Sequence, residues 1–244
     1  MAIGSDFMAK TRHRHLVPSA QQRGLPAPPL ELPPDPAQAV THLPRPAEVR
    51  TPPVVLGELI ERRRSVREYA REPIALGELS YLLWCTQGVK EAIPGHVTMR
   101  TVPSAGARHA FETYVLANRV EGLPPGLYRF LAIDHKLAQV STDAGLAATL
   151  TEACLGQAFV AAGAATFFWA AVPYRMTWRY GQRGYRYLHL DAGHVCQNLY
   201  LAAESIGCGC CAIAAFDDDA LNAALGLDGE EQFAIYVATV GRKR

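Results

Sequence analysis

The side chains best suited to hold an anion are concentrated in one short stretch. Three arginines and a serine lie within five positions, at Arg63, Arg64, Ser65 and Arg67. Arginine offers paired hydrogen-bond donors and a permanent positive charge, and serine adds a neutral donor. The stretch ends an amphipathic segment, and the C-terminal end of a helix disfavours anions, so we expect the anion in the following turn. The pattern predicts a phosphate site; the alternative is a solvated basic helix end.

The overall composition adds no general attraction for anionic partners. The 244-residue chain has a formal net charge of +1, with 49% hydrophobic and 19% charged residues. These values predict a globular protein that binds no nucleic acid and no membrane surface. The longest apolar run, residues 158–172, is shorter than the roughly 20 residues of a membrane span. Residues 1–10 lack the apolar core of a secretory signal, so we expect a cytoplasmic protein.

Two groups of side chains could suggest a metal site. The cluster at Cys208, Cys210 and Cys211 lacks a second Cys or His pair at zinc-like spacing. His189 and His194 are five positions apart, about 140° around a helix, so they do not share a face. We therefore predict no metal ion, and we expect the six cysteines to be reduced and mostly buried.

Residues 1–53 are predicted to form a proline-rich N-terminal arm, followed by a domain over residues 54–244. Most of the 17 prolines lie between Pro18 and Pro53. Proline fixes φ and removes a backbone donor, which argues against a helix or a central strand there. We expect an arm extended over a surface; the alternative is a polyproline ligand for another protein.

Hydrophobic periodicity predicts helices and strands in mixed order. Helices are expected over residues 54–64, 76–86, 144–162 in two pieces, 188–206 and 217–225. Strands are expected over residues 113–117, 126–131, 166–172, 210–213 and 233–240. The first of these helices is expected to have one apolar face, formed by Val55, Leu59 and Ile60. This order predicts an α+β domain with helices on both faces of one sheet.

Taken in order, several stretches resemble the FMN-dependent nitroreductase superfamily, and more narrowly its SagB-type branch of azoline dehydrogenases. They cover residue 54 to the end of the chain, at residues 63–67, 100–107, 112–115, 123–128, 178–187, 190–194, 197–199 and 238–241. The resemblance implies a nitroreductase-like fold, with a central, mostly antiparallel sheet flanked by helices. It also implies a homodimer whose subunits swap segments and hold FMN at their interface.

The same resemblance assigns residues to the cofactor. The phosphate and the pyrimidine side of the ring would be held by Arg63, Arg64, Ser65 and Arg67. A loop of the other subunit would approach the flavin at Pro103, Ser104, Ala105 and Gly106. Backbone near flavin N5 would come from Ile213, Ala214 and Ala215. Arg242 would complete the phosphate clamp.

A candidate catalytic pair follows from the SagB-type branch, where a Lys-Tyr pair is associated with proton removal. The matching positions are Arg179 and Tyr180. Arginine keeps its proton at neutral pH, so this departure leaves Tyr180 as the candidate base, if the neighbouring Arg179 favours its ionised form. The alternative is a structural role for both residues, with Tyr180 stacked in the core.

Three functions remain open from the sequence. The SagB-type reaction oxidises an azoline in a modified peptide to the azole: a base takes the Cα proton, and flavin N5 takes hydride from the adjacent carbon. In the wider superfamily, NAD(P)H reduces FMN, and a small nitro compound or quinone reoxidises it. The Lys-to-Arg departure motivates a third hypothesis, a catalytically idle scaffold partner of a peptide-modifying complex.

Overall fold

A seven-stranded antiparallel sheet forms the centre of the protein, in a computed structural model that describes residues 2–49, 51–93 and 95–244. Met1 and Arg50 of the predicted arm, and Pro94, lie outside the described residues. In spatial order, the strands are β1 (Val40–His42), β8 (Lys136–Ser141), β7 (Gly126–Leu131), β5 (Phe111–Ala117), β9 (Ala165–Ala171), β11 (Phe233–Arg242) and β10 (Cys208–Ile213). Two small sheets pair β2 (Ile74–Ala75) with β6 (Val120–Glu121), and β3 (Val89–Ile93) with β4 (Val97–Arg100).

Helices cover both faces of the main sheet. The helices of the described chain are α1 (Ile3–Lys10), α2 (Leu56–Arg62), α3 (Leu76–Gln87), α4 (Leu146–Ala153), α5 (Phe159–Ala162), α6 (Pro173–Tyr180), α7 (Gly184–Ser205) and α8 (Asp218–Leu225). Successive side chains of a strand point to opposite faces. Phe167 of β9 accordingly packs in the core cluster with Leu199 of α7. Phe168 packs in a second cluster with Leu150 of α4 and Leu221 of α8.

The predicted fold class is confirmed. The sheet is antiparallel throughout, and all seven residues of the central strand β9 are buried, as their apolar character predicted. The apolar stripe of α7 is buried at the expected spacing, at Leu188, Ala192, Val195, Leu199 and Ala202. Helix α7 begins at Gly184, four residues before the predicted start.

Several elements escaped the sequence-based prediction. They are α6, β2, β3, β4, β6 and β8, together with α1, β1 and two 3-10 turns inside the proline-rich arm. We predicted neither a helix nor a central strand between Pro18 and Pro53. The structure places the edge strand β1 there and one 3-10 turn at Pro46–Glu48. That turn begins with Pro46, a position where the missing amide donor removes no hydrogen bond.

The predicted apolar face of α2 is only partly covered by this chain. Leu59 is buried as expected, whereas Val55 is 62% exposed and Ile60 is 54% exposed. Val55 precedes the first residue of α2, so it lies outside the helix, and Ile60 belongs to the part of the apolar face that this chain leaves exposed. The periodicity was present, but the surface that would cover it is not supplied by the elements packed around α2.

The arm is attached to the sheet through a buried charge network. Arg175 of α6 contacts Glu112 of β5 at 2.5 Å, and Arg129 of β7 lies 3.8 Å from the same carboxylate. The Leu32 amide donates to Glu112 Oε1 at 2.9 Å, and Arg175 Nε donates to the Pro29 carbonyl at 2.8 Å. The arm therefore runs along the folded chain and satisfies polar groups that the sheet buries. The boundary at residue 53 stays a prediction.

Candidate functional site

An extended segment after α2 runs along the outer edge of the sheet. The Val66 amide donates to the Cys210 carbonyl, and the Ala70 amide donates to the Arg242 carbonyl, each at 2.9 Å. Between them, the buried Tyr69 hydroxyl donates to the Val66 carbonyl at 2.7 Å. These contacts fix the predicted anion-binding residues against the ends of β10 and β11.

Gly209 makes this close approach sterically possible. A Cβ atom at Gly209 would lie 2.6 Å from Val66 Cβ. We expect Gly209→Ala to displace the segment and to lower the free energy of unfolding by about 1–3 kcal/mol, measured by urea denaturation. The control is Gly57→Ala in α2, where nothing lies within 4 Å and alanine favours the helix by up to about 1 kcal/mol. Equal stability of the two variants would contradict the steric explanation.

Tyr200 of α7 organises the first group of predicted site residues. Its hydroxyl lies 2.9 Å from Ser65 Oγ and accepts from the Ala212 amide at 2.8 Å. Its ring lies under the half-buried Arg63, with 5.3 Å between the guanidinium carbon and the ring centroid. Burial raises the pKa of Tyr200, which keeps the hydroxyl protonated. The sequence-based prediction missed Tyr200; its signal was a hydroxyl-bearing aromatic next to the buried Leu199.

The other two arginines of the stretch, Arg64 and Arg67, have different surroundings from Arg63. Arg67 lies over Phe159, with 6.0 Å between guanidinium carbon and ring centroid, and Phe159 packs with the α4–α8 layer. Arg64 is exposed. Among the described residues, Arg63, Arg64 and Arg67 form no ion pair with a carboxylate. These cations, together with the Ser65 hydroxyl, fit the donor set that the phosphate of FMN requires.

Arg242 is engaged elsewhere. Its Nη2 lies 2.6 Å from Glu78 Oε2, and its Nη1 donates to the Ile206 carbonyl at 3.0 Å. Among the described residues, Arg242 is thus paired with a carboxylate, unlike the other three arginines predicted to hold the phosphate. Its place in a phosphate clamp stays a prediction.

The predicted backbone contacts follow the Tyr200 group directly. Ile213 is the last residue of β10 and is buried, while Ala214 and Ala215 are exposed after it. The Ala215 carbonyl accepts from Gln157 Nε2 at 2.8 Å. One exposed backbone segment therefore leads away from the anion-binding residues.

A second group joins the Pro103–Gly106 loop to the candidate catalytic pair. Gly106 has φ +58°, and a Cβ atom there would lie 2.5 Å from the Tyr180 hydroxyl and 2.9 Å from Arg179 Nε. The Ala105 amide donates to Asp191 Oδ1 of α7 at 3.3 Å. Glycine is thus required both for the left-handed backbone and for the space beside Tyr180. Pro103 is exposed and Ser104 half-buried in the same loop.

Burial shifts the pKa values of three titratable side chains around this loop, and each shift favours the uncharged form. Burial raises the pKa of Asp191, and its Oδ2 has no hydrogen-bond partner among the described residues. Burial and then the charge of Arg179 lower the pKa of Arg108. Burial, followed by Arg100 and Arg108, lowers the pKa of His109 to about 3, so this imidazole is neutral at pH 7.

The two groups contact α7 at different positions along its axis. Asp191 and Tyr200 are nine positions apart on this helix, which corresponds to about 14 Å along its axis. We call the first group (Arg63, Ser65 and Tyr200) the Arg63 group, and the second group (Gly106, Arg179, Tyr180 and Asp191) the Gly106 group. Within one chain, these two groups therefore occupy separate places. Within the described ranges, no cluster of three or more His, Cys, Asp or Glu side chains could hold a metal ion, and no helix could cross a bilayer.

The chain belongs to the nitroreductase family, whose sequence pattern matches residues 60–242. A candidate nitroreductase of Methanocaldococcus jannaschii is 36% identical over 190 residues, covering 78% of this chain and 92% of that protein. A candidate nitroreductase structure from Ralstonia eutropha is 28% identical, with a TM-score of 0.68, and covers 90% of this chain and 97% of its own. The predicted family and fold are thereby confirmed.

Three further similarities involve two trifolitoxin proteins and a microcin synthetase complex. The trifolitoxin-processing protein TfxB of Rhizobium leguminosarum is 29% identical over 133 residues, and the operon protein TfxC is 24% identical over 214 residues. This chain spans 36% of TfxB and 59% of TfxC. A chain of the E. coli microcin synthetase McbBCD complex, with truncated pro-MccB17 bound, has a TM-score of 0.64 at 19% identity. It covers 99% of this chain and 92% of its own, and it shows the shared fold.

Proposed function

We propose that this chain is an FMN-dependent oxidoreductase of the SagB type, which oxidises an azoline in a modified peptide to the azole. The observation that carries the proposal is the contact of the Gly106 loop with Tyr180 and Arg179. It places a candidate proton-transfer group beside the loop that the resemblance assigns to the flavin. The names of TfxB, as a trifolitoxin-processing protein, and of the microcin synthetase complex support a peptide substrate.

In this proposal, different residues of the chain serve cofactor binding and proton transfer. Arg63, Arg64 and Arg67 would hold the phosphate of FMN, with the Ser65 hydroxyl as a neutral donor. When bound, FMN supplies the acceptor for the hydride that leaves the substrate. The Tyr180 hydroxyl oxygen would take the Cα proton of the azoline ring, since it lies at the edge of the Gly106 loop.

We further propose that the enzyme is a homodimer in the cytoplasm, with the site completed across its interface. Within one chain, the Gly106 group and the Arg63 group are separated along α7, so a partner's loop would have to reach the flavin. The exposed apolar side chains of Val55, just before α2, and Ile60 on α2 support the same proposal, because a second copy would remove them from water.

Purified protein should carry close to one FMN per chain, read from its visible absorbance. Tyr180→Phe is expected to reduce azoline oxidation by roughly 100-fold or more, because a general base typically contributes that much. The absorbance of bound flavin should stay unchanged in this variant. Turnover is measured by mass spectrometry of an azoline-containing peptide, which loses two hydrogens on oxidation.

The matched control is Tyr174→Phe, the same change on the same helix α6, where the side chain is 48% exposed. It should turn over at the wild-type rate. Wild-type turnover by Tyr180→Phe would remove Tyr180 from the mechanism. Colourless protein without FMN would contradict the proposal as a whole, and flavin without any turnover would favour the scaffold hypothesis.

A second candidate function is an NAD(P)H-dependent reductase of nitro compounds or quinones. The 36% identity to the Methanocaldococcus jannaschii candidate nitroreductase favours it. In this case NAD(P)H would bleach the bound flavin in the absence of oxygen, and a nitroarene or a quinone would restore its colour. Bleaching without any oxidation of azoline peptides would select this function over the first.

A further inference from the structure

A cavity of about 440 Å³ separates the N-terminal arm from the end of α6. Its floor consists of Arg179 and Tyr180. The arm supplies the opposite wall through His13, Leu16, Val17, Pro18, Ser19 and Gln22. The arm and the candidate catalytic pair thus face one common space.

The arm is fixed on both sides of this cavity. On one side, Arg183 Nη1 donates to the carbonyl of the buried Thr11 at 2.8 Å. On the other side, the Gln21 amide donates to the Trp178 carbonyl at 2.8 Å, and Trp178 Nε1 donates to the Leu25 carbonyl at 2.9 Å. The intervening residues therefore bridge the cavity as a held wall.

The charges of the lining are complementary to an anion. Arg179 is its permanent cation, His13 adds an imidazole, and the lining contains no carboxylate among the described residues. Arg179 Nη1 donates to the neutral Gln21 Oε1 at 3.4 Å, and Arg179 forms no ion pair within the described part of the chain. A guanidinium with donors to spare binds a carboxylate through two parallel hydrogen bonds.

We propose that this cavity binds a carboxylate group of the substrate, with Arg179 as its ligand and arm residues 13–22 as the wall that determines specificity. A carboxylate is favoured over a phosphate because the lining offers a single permanent cation, Arg179, and the facing wall combines the apolar Leu16, Val17 and Pro18 with the uncharged Ser19 and Gln22. That combination suits a singly charged group on an apolar body. The inference rests on the proposed function, since it places the substrate beside Tyr180.

The test compares benzoate with benzamide as probes, by isothermal titration calorimetry on the full-length chain in saturating FMN. Benzoate should bind more tightly than benzamide, and more weakly at high salt. Arg179→Gln should weaken benzoate about tenfold or more, as expected for a lost charge-assisted hydrogen bond. Benzamide binding should stay unchanged. The control is Arg14→Gln, an exposed arginine of the same arm outside the cavity lining.

A second variant tests the wall itself. Val17 is 77% exposed, so Val17→Asp should fold normally and repel benzoate, weakening it roughly fivefold. Ala27→Asp, exposed on the arm away from the cavity, should leave benzoate binding unchanged. Calorimetry needs no turnover, so an inactive protein would contradict the proposed function and leave this comparison intact.

Three outcomes would overturn the inference. Benzoate and benzamide would bind equally, or benzoate would be unaffected by both Arg179→Gln and Val17→Asp. Alternatively, phenyl phosphate would bind more tightly than benzoate and lose this advantage in Arg179→Gln, which would make the cavity a phosphate site.

Discussion

Arg63→Glu is expected to weaken FMN binding by a factor of about 100 or more, because it removes a charge-assisted hydrogen bond and places a carboxylate against the phosphate. Arg63 is half-buried over Tyr200, so solvent screens the repulsion only in part. The affinity is measured by titrating FMN into stripped protein and following its fluorescence.

Arg62→Glu provides the matched control for this experiment. Arg62 is the neighbouring residue, its side chain is 57% exposed, and it lies 3.9 Å from Glu58 within α2. The same charge reversal should change FMN affinity less than about threefold, because exposed pairs contribute little. Similar losses in both variants would indicate a general effect of charge. No loss in Arg63→Glu would move the phosphate to another site.

Glu112→Ala is expected to lower the free energy of unfolding by about 3–5 kcal/mol, because it leaves buried cations without their counter-charge. Glu112 and Arg175 are each 2% exposed, and Arg129 is 7% exposed. The change also removes the acceptor of the Leu32 amide. Urea denaturation measures the loss. Limited proteolysis should cut the arm near residue 30 faster than in the wild type, because the hydrogen bond of the Leu32 amide to Glu112 is lost.

The control is Glu121→Ala at an exposed position of β6, which should alter stability by less than about 0.5 kcal/mol. A small loss of stability in Glu112→Ala would show that solvent or rearranged side chains compensate the positive charge of Arg175. Faster cleavage of the arm without a loss of stability would show that the arm is anchored by Glu112 while the sheet is independent of it.

The main elements of the domain could be predicted because their causes are local. Alternating spacings of three and four along α7, and an unbroken apolar run in β9, determine a buried helix stripe and a central strand from nearest neighbours alone. The arm was harder to predict. Pro46 begins a turn and β1 pairs with β8, and the partner strand of β1 lies almost a hundred residues further along the chain.

In the candidate site, too, residue types could be interpreted from the sequence, whereas the contacts between distant residues could not. Residue types alone indicated an anion at Arg63 to Arg67, since guanidinium groups carry their charge in any conformation. Only the tertiary structure paired Arg242 with Glu78 and placed Tyr200 beneath Arg63.

The sequence by itself determined which residue types are available: a cluster of arginines that could hold a phosphate, a tyrosine beside an arginine, and segments that predict a sheet with helices on both faces. The tertiary structure decided which groups share a space, including the contact of Gly106 with Tyr180 and the wall that the arm places over Arg179. The physical reason is range. Charge and helical periodicity belong to single residues and short segments, whereas these contacts depend on how distant segments pack around one sheet.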